Sequence, residues 1–243
     1  NQLDIKKYPE ILKIIDNVAV NYYIFGDYVT ALSLFKKGMG VAPYWRNKSE
    51  RYILTNTIGL CYQKQMQYDS AIYYYELAHY NARETGNEFW ATLTMGNRAY
   101  CHYLAGNYDE ALPPLLKDFE LSAQWGEVGS AVNAAMIIAA IYVEKNNLTE
   151  AAKYLDYGIE HQSFLDARQK ISYYTSLNQI SRQKGDYRQA ISYLDSVQKY
   201  KDIAAITNND GIIRNAELKL YLEKHKYDLE LLDGFILYRL GET

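Results

Sequence analysis

The sequence predicts an all-α fold, a solenoid of five helical hairpins followed by a C-terminal helix. Three observations predict it. First, one phrase, fullest in Gly106-Asn107-Tyr108-Asp109-Glu110-Ala111-Leu112, recurs as Gly26-Asp27-Tyr28-Val29-Thr30-Ala31-Leu32, Gln67-Tyr68-Asp69-Ser70-Ala71-Ile72, Asn147-Leu148-Thr149-Glu150-Ala151 and Gly185-Asp186-Tyr187-Arg188-Gln189-Ala190-Ile191. Second, its alanines stand 40, 40, 40 and 39 residues apart, and a fixed period in that range marks stacked helical units. Third, the spacings on both sides of each alanine are helical. Twelve residues before it comes a small residue, Ala19, Gly59, Ala99 or Ala139, with Asn178 the exception, and four after it a bulky one, Phe35, Tyr75, Leu115, Leu155 or Leu194.

Residues 1–9 read as a lead-in, because Tyr8-Pro9 breaks the pattern and Glu10 to Phe25 is the first clear helix. Each phrase then supplies a corner. Gly26, Gly106 and Gly185 can take the left-handed backbone that ends a helix, and the Asp or Asn that follows can cap the next. Met66 and Asn146 stand where two repeats lack that glycine, and Asn tolerates the conformation better than Met. Asp109 and Glu110 fall in a first turn, where acidic side chains suit the helix dipole. Pro113 and Pro114 remove two backbone donors from the second helix of the third repeat, so that helix either bends or begins irregularly.

The five repeats occupy residues 10–206. Thr207-Asn208-Asn209-Asp210-Gly211 reads as a turn cluster opening a C-terminal element, residues 207–243. There Leu218, Leu222, His225, Leu229, Leu232 and Ile236 follow at spacings of 4, 3, 4, 3 and 4, a heptad seam. It suits a capping helix over the last repeat or the start of a coiled coil, through which two chains could pair as a homodimer.

Composition narrows the function. In 243 residues, 49% of them hydrophobic, a periodic chain grows one continuous core, so a single elongated domain is expected. A net charge of −3 and no basic run argue against nucleic acid. No apolar stretch reaches the roughly 18 residues of a membrane span, so no direct membrane insertion is expected. Cys61 and Cys101 hold equivalent places in consecutive repeats, about 8–10 Å apart on neighbouring helices, beyond bridging range, so both should be free thiols. His79, His102, His161 and His225 form no metal-ligand spacing, and no phosphate loop or nucleophile motif occurs. No catalytic residue, metal or cofactor is predicted.

The order small residue, Tyr, Gly-Asp/Asn-Tyr, Ala, bulky residue, with Tyr22, Tyr62 and Tyr142 nine before their alanines, resembles the tetratricopeptide repeat from Leu12 to about Lys199. Only the first copy ends with that family's proline, Pro43, and the period exceeds its usual ~34 residues. It is similar to the long-helix variant of bacterial sensors and regulators. The resemblance implies a right-handed α-α superhelix whose first helices line a concave groove holding a protein or peptide. The groove residues expected are Asn17 and Tyr23, Asn56 and Gln63, Asn97, Tyr100 and Tyr103, Asn133, then Gln179 and Arg182. Asn17, Asn56, Asn97, Asn133 and Asn178 put an amide, donor and acceptor together, on every first helix. Chaperone adaptors of this family grip a terminal carboxylate with a set of Lys, Arg and Asn side chains on successive first helices. Asp16, Val20, Thr57, Leu93 and Asn97 hold those places here, so that ligand is rejected. Arg98 stands where Val18, Ile58, Ile138 and Leu177 are buried and must pair or snorkel, with Glu127 or Asp118 as candidate partners. The resemblance further implies the sensor region of a bacterial signalling protein, periplasmic in that case and otherwise cytoplasmic. The alternative is a stand-alone scaffold or adaptor.

Overall fold

The computed structural model describes residues 10–40 and 48–224, and between its turns the described chain is helical. Five hairpins follow one another: α1 Glu10–Ile24 with α2 Tyr28–Gly40, α3 Lys48–Lys64 with α4 Tyr68–Glu84, α5 Glu88–Leu104 with α6 Tyr108–Gln124, α7 Val128–Glu144 with α8 Leu148–Glu160, and α9 Ala167–Gln183 with α10 Tyr187–Lys224. The fold is an α-solenoid of packed helix pairs. By contact, residues 10–88 with 210–224 form one unit and residues 89–209 another.

The corners show why the phrase repeats. Gly26, Met66, Gly86, Gly106, Gly126, Asn146 and Gly185 all have φ between 57° and 80°. At Gly106 the N–H donates to the Tyr103 carbonyl at 3.0 Å and the Asn107 N–H to the His102 carbonyl at 2.8 Å. This pair of bonds closes a helix end around a left-handed residue, and it recurs at the other six corners. The next helix starts at once, because the phrase alanine (Ala31, Ala71, Ala111, Ala151 or Ala190) sends its N–H back to the residue just after the corner. Asp27 and Asp186 also cap with their side chains, accepting from the Thr30 and Gln189 N–H groups at 3.1 and 3.0 Å, whereas Asn107 does not. Gly86 and Gly126 lie between hairpins and extend the pattern, so that corners fall every 20 residues from Met66 to Asn146. The fourth-to-fifth junction is built differently. There α8 stops at 13 residues, a 3-10 turn spans Gln162–Phe164, and Asp166 opens α9 with a capping box to Gln169.

In residues 10–88 with 210–224, Ala19, Ala31, Phe35, Leu54, Ile58 and Cys61 form the core shared by α1, α2 and α3. Gly59 is there because Tyr75 is. A Cβ on Gly59 would lie 2.7 Å from the Tyr75 ring, which is fully buried and donates its hydroxyl to Gln63 Oε1 at 2.6 Å. In residues 89–209 the same packing uses Ala99 with Leu115 and Ala139 with Leu155, all at most 2% exposed. α7 is the most apolar helix here, with ten buried residues, because it packs on α6, α8 and α9. Tyr142 stacks on Tyr154 at 6.0 Å between ring centroids. Cys61 and Cys101 are buried free thiols, and burial pushes each up to about 12.

Three expectations need correcting. Thr207-Asn208-Asn209-Asp210-Gly211 is no turn: α10 runs through it to Lys224. Turn-forming residues prefer a corner without forcing one, and one interior glycine costs only about 1 kcal/mol of helix. Pro113 and Pro114 do not mark an irregular start, since α6 begins at Tyr108 and carries both in its second turn. Leaving out two N–H groups there strips Asp109 and Glu110 of the helical donors to their carbonyls. In the fifth hairpin, where Asn178 replaces the small residue, the bulky residue does not fill the space beside it. Asn178 is buried and gives its amide to the Ala190 carbonyl at 2.8 Å, and Leu194 is 52% exposed. Leu218 and Leu222 of the heptad fall in α10, and His225, Leu229, Leu232 and Ile236 lie outside the described residues. Among the described residues no helix is long and apolar enough to cross a membrane.

Candidate functional site

A second facing pair, fifteen residues before each alanine and seven after it, sets the surface of the first helices. In the fourth hairpin Met136 fills the space over Gly158, where a Cβ would lie 2.2 Å from Met136 Cε. In the second, Asn56 and Ala78 are both buried. In the first, Asp16 of α1 faces Gly38 of α2. The third hairpin reverses the order. Its first helix has Gly96, and its second helix sends up Asp118, whose Oδ2 would stand 2.3 Å from a Cβ on Gly96.

The reversal opens a cavity of ≈ 60 Å³ between α5, α6 and α7, room for a side-chain tip and no more. Gly96, Asn97 and Tyr100 line it from α5, Asp118 and Ser122 from α6, and Ser130 and Asn133 from α7, with Phe89 and Trp125 also lining it, 44% and 40% exposed. Asp118 is only 9% exposed, and its Oδ1 accepts from the Ser122 hydroxyl at 3.1 Å. Burial raises its carboxyl to about 6, against the smaller opposing pull of that hydroxyl. No basic side chain lines the cavity.

The expected residues divide in space. Asn97, Tyr100 and Asn133 meet at this cavity. Asn133 Oδ1 also accepts from Gln169 Nε2 at 3.1 Å, which ties α7 to the start of α9. Gln179 and Arg182 line a wider cleft of ≈ 500 Å³ together with Thr175, Asn178 and Tyr187. Tyr103 packs instead in a tyrosine row, 6.0 Å from Tyr100 and 5.9 Å from Tyr108, and burial pushes its hydroxyl up. In residues 10–88, Asn17 is exposed, Asn56 is 5% exposed, Gln63 holds the Tyr75 hydroxyl, and Tyr23 leans on the Tyr28 ring. Of the five first-helix asparagines, Asn56 and Asn178 are buried in the packing of their own hairpins, Asn97 is half-buried, and Asn17 and Asn133 are exposed. Arg98 is half-buried.

Asp118 is the residue that reading the first helices alone misses. The available signal was a glycine where other repeats carry bulk, paired with an aspartate 22 residues later. Among the described residues no group of three or more His, Cys, Asp or Glu could hold a metal ion.

The tetratricopeptide repeat family model matches residues 50–117, which run from α3 into α6. Residues 50–117 thus match the tetratricopeptide repeat, and the same helix-pair architecture continues on either side of them. Several solved structures share this stack of helix pairs. The apo form of RapI superposes with a TM-score of 0.69 at 14% identity, over 95% of this chain and 92% of that one. BtubC from P. vanneervenii gives 0.67 at 15%, over 83% and 85%. A Rap protein complexed with Competence and Sporulation Factor gives 0.64 at 14%, over 96% and 69%. At such identities the likeness concerns the fold alone. No curated protein sequence matches the chain.

Proposed function

We propose that this tetratricopeptide protein is a non-catalytic interaction module that holds an extended peptide, from a partner protein or free, along the first helices of residues 89–209. One observation carries the reading: Asn97, Tyr100 and Asn133, from two consecutive first helices, converge on a cavity whose mouth carries exposed aromatic rings. Amides that offer both donor and acceptor suit a peptide backbone, and pockets of this size suit single side chains. The Gln179 and Arg182 cleft extends the same layer of first helices. The solved Rap complex adds support by likeness of fold.

Selection of random twelve-residue peptides against the full chain tests it. Enriched peptides should lose at least tenfold in affinity when Asn97, Tyr100 and Asn133 are replaced together by alanine, with helicity and melting unchanged. Failure to enrich any peptide, or binding indifferent to the triple variant, would sink the proposal.

A second reading, the sensor region of a bacterial signalling protein, is favoured by the length of α10. Its 38 residues make about 57 Å of helix, where the other second helices have 13 to 17 residues. Such a helix could carry a change at the hairpins outward and pair with a second copy. A chain truncated at Asn208 that self-associates as strongly as the full chain would remove α10 from that role and leave a stand-alone scaffold.

A further inference from the structure

We propose that the cavity over Gly96 is a subsite for one basic side chain of the bound peptide, an arginine or lysine whose charged head enters between α5 and α7 to pair with Asp118. This rests on the peptide-groove reading and names which residue such a peptide must carry.

The Asp118 carboxylate occupies an unusual position. An ionised carboxylate is costly to bury unless it is paired, and interiors normally keep such groups only where a partner is present. Here Asp118 is 9% exposed, the hydroxyl of Ser122 is neutral, and none of the residues around the cavity is a cation. The fourth hairpin shows that the same backbone geometry can be filled by Met136 over Gly158 with no polar atom at all. An aspartate held under a glycine is thus a choice against stability, the pattern expected of a binding group awaiting its counter-charge.

The walls select the ligand class. With one carboxylate among neutral hydroxyls and amides, the lining lacks the cluster of acidic ligands that would hold a divalent ion, and a negative floor repels anions. An organic cation on a flexible stem meets both conditions. Its head fits a space of ≈ 60 Å³, and its apolar stem would pack along the exposed Phe89 and Trp125 rings. Asn97 and Asn133 flank the entrance, where the peptide's own amides would run.

The test uses seven-residue peptides, blocked at both ends and selected at random against the full chain. Each basic position in the winners is then exchanged for a neutral isostere, citrulline for arginine or norleucine for lysine. Binding is measured to the native chain, to Asp118→Asn and to Tyr100→Ala, with circular dichroism to establish that all three are folded. The expected result is one shared basic position whose neutralisation weakens binding at least tenfold to the native chain but less than twofold to Asp118→Asn. Winners with no shared basic position, or equal losses against both proteins, overturn the subsite. If those winners still weaken with Tyr100→Ala, the groove reading survives it. An absence of any winner overturns both.

Discussion

The third and fourth hairpins share one backbone plan and differ in which helix supplies the bulk. In the fourth, Met136 on α7 covers Gly158 on α8, and the surface of the first helix is closed by packed apolar residues. In the third, Gly96 on α5 is bare and Asp118 on α6 fills the space from below with a charge. One arrangement makes core and the other makes a cavity. A repeat protein can thus place a site in its stack by transposing a large and a small residue across a pair, leaving every corner and every alanine untouched.

The largest effect expected from probing this contrast is on stability. Asp118→Asn keeps the shape and the Ser122 bond and removes the buried charge. The carboxyl's folded pKa, about 6, lies above its usual 3.8, so between those values the folded chain holds a proton that the unfolded chain has lost. This group's contribution therefore favours the fold below about pH 4 and is lost as pH rises through about 6. Above pH 6.5 the variant should be more stable by about 3 kcal/mol, with the difference vanishing near pH 4; urea melts at pH 4 and pH 7.5 measure it. An equal advantage at both values would show that the carboxylate carries no such burden.

The second hairpin, with glycine and tyrosine where the third and fourth have alanine and leucine, sharpens the comparison next. Gly59→Ala drives a methyl to 2.7 Å from the Tyr75 ring and should cost about 2 kcal/mol. Adding Tyr75→Leu copies the Ala99–Leu115 pair and should recover most of that loss, since volume is again conserved. A thermal double-mutant cycle reads the coupling, and strictly additive losses would argue against a matched pair.

The smallest effect belongs to the corners. Met66 takes a φ of 59° where Gly106 takes 80°, and a side chain in that conformation costs about 1–2 kcal/mol, offset in part by glycine's greater freedom when unfolded. Met66→Gly should raise stability by about 1 kcal/mol, seen as a few degrees in Tm. A lower Tm would mean that the exposed Met66 side chain gains something from its surroundings.

Much of the fold was legible because it rests on local rules. Evenly spaced alanines, left-handed residues at Gly26, Met66, Gly106, Asn146 and Gly185, and the pairing of Ala99 with Leu115 all follow from helical period and corner chemistry. Gly86 and Gly126 escaped because their flanking residues lack the repeated phrase, although their backbone bonds are the same. The reading of 207–211 as a turn failed because propensity is a weak prior and a helix already under way from Tyr187 continued through it. The candidate site was half legible. Asn97, Tyr100 and Asn133 could be placed by face, but Asp118 enters from the opposite helix of its hairpin, a relation between two residues that period alone does not encode. Asn178 failed as a surface amide for the same reason, since a backbone carbonyl at Ala190 claims it.

The uniform corners have an evolutionary consequence. Met66, Gly106 and Asn146 turn the chain through one backbone conformation, so a length running from one of them to the next could be duplicated or excised with ready-made joints at both ends. Lineages of such chains can lengthen or shorten by unequal copying while each surviving hairpin keeps its own contacts, and the transposed pair of the third hairpin travels as a cassette.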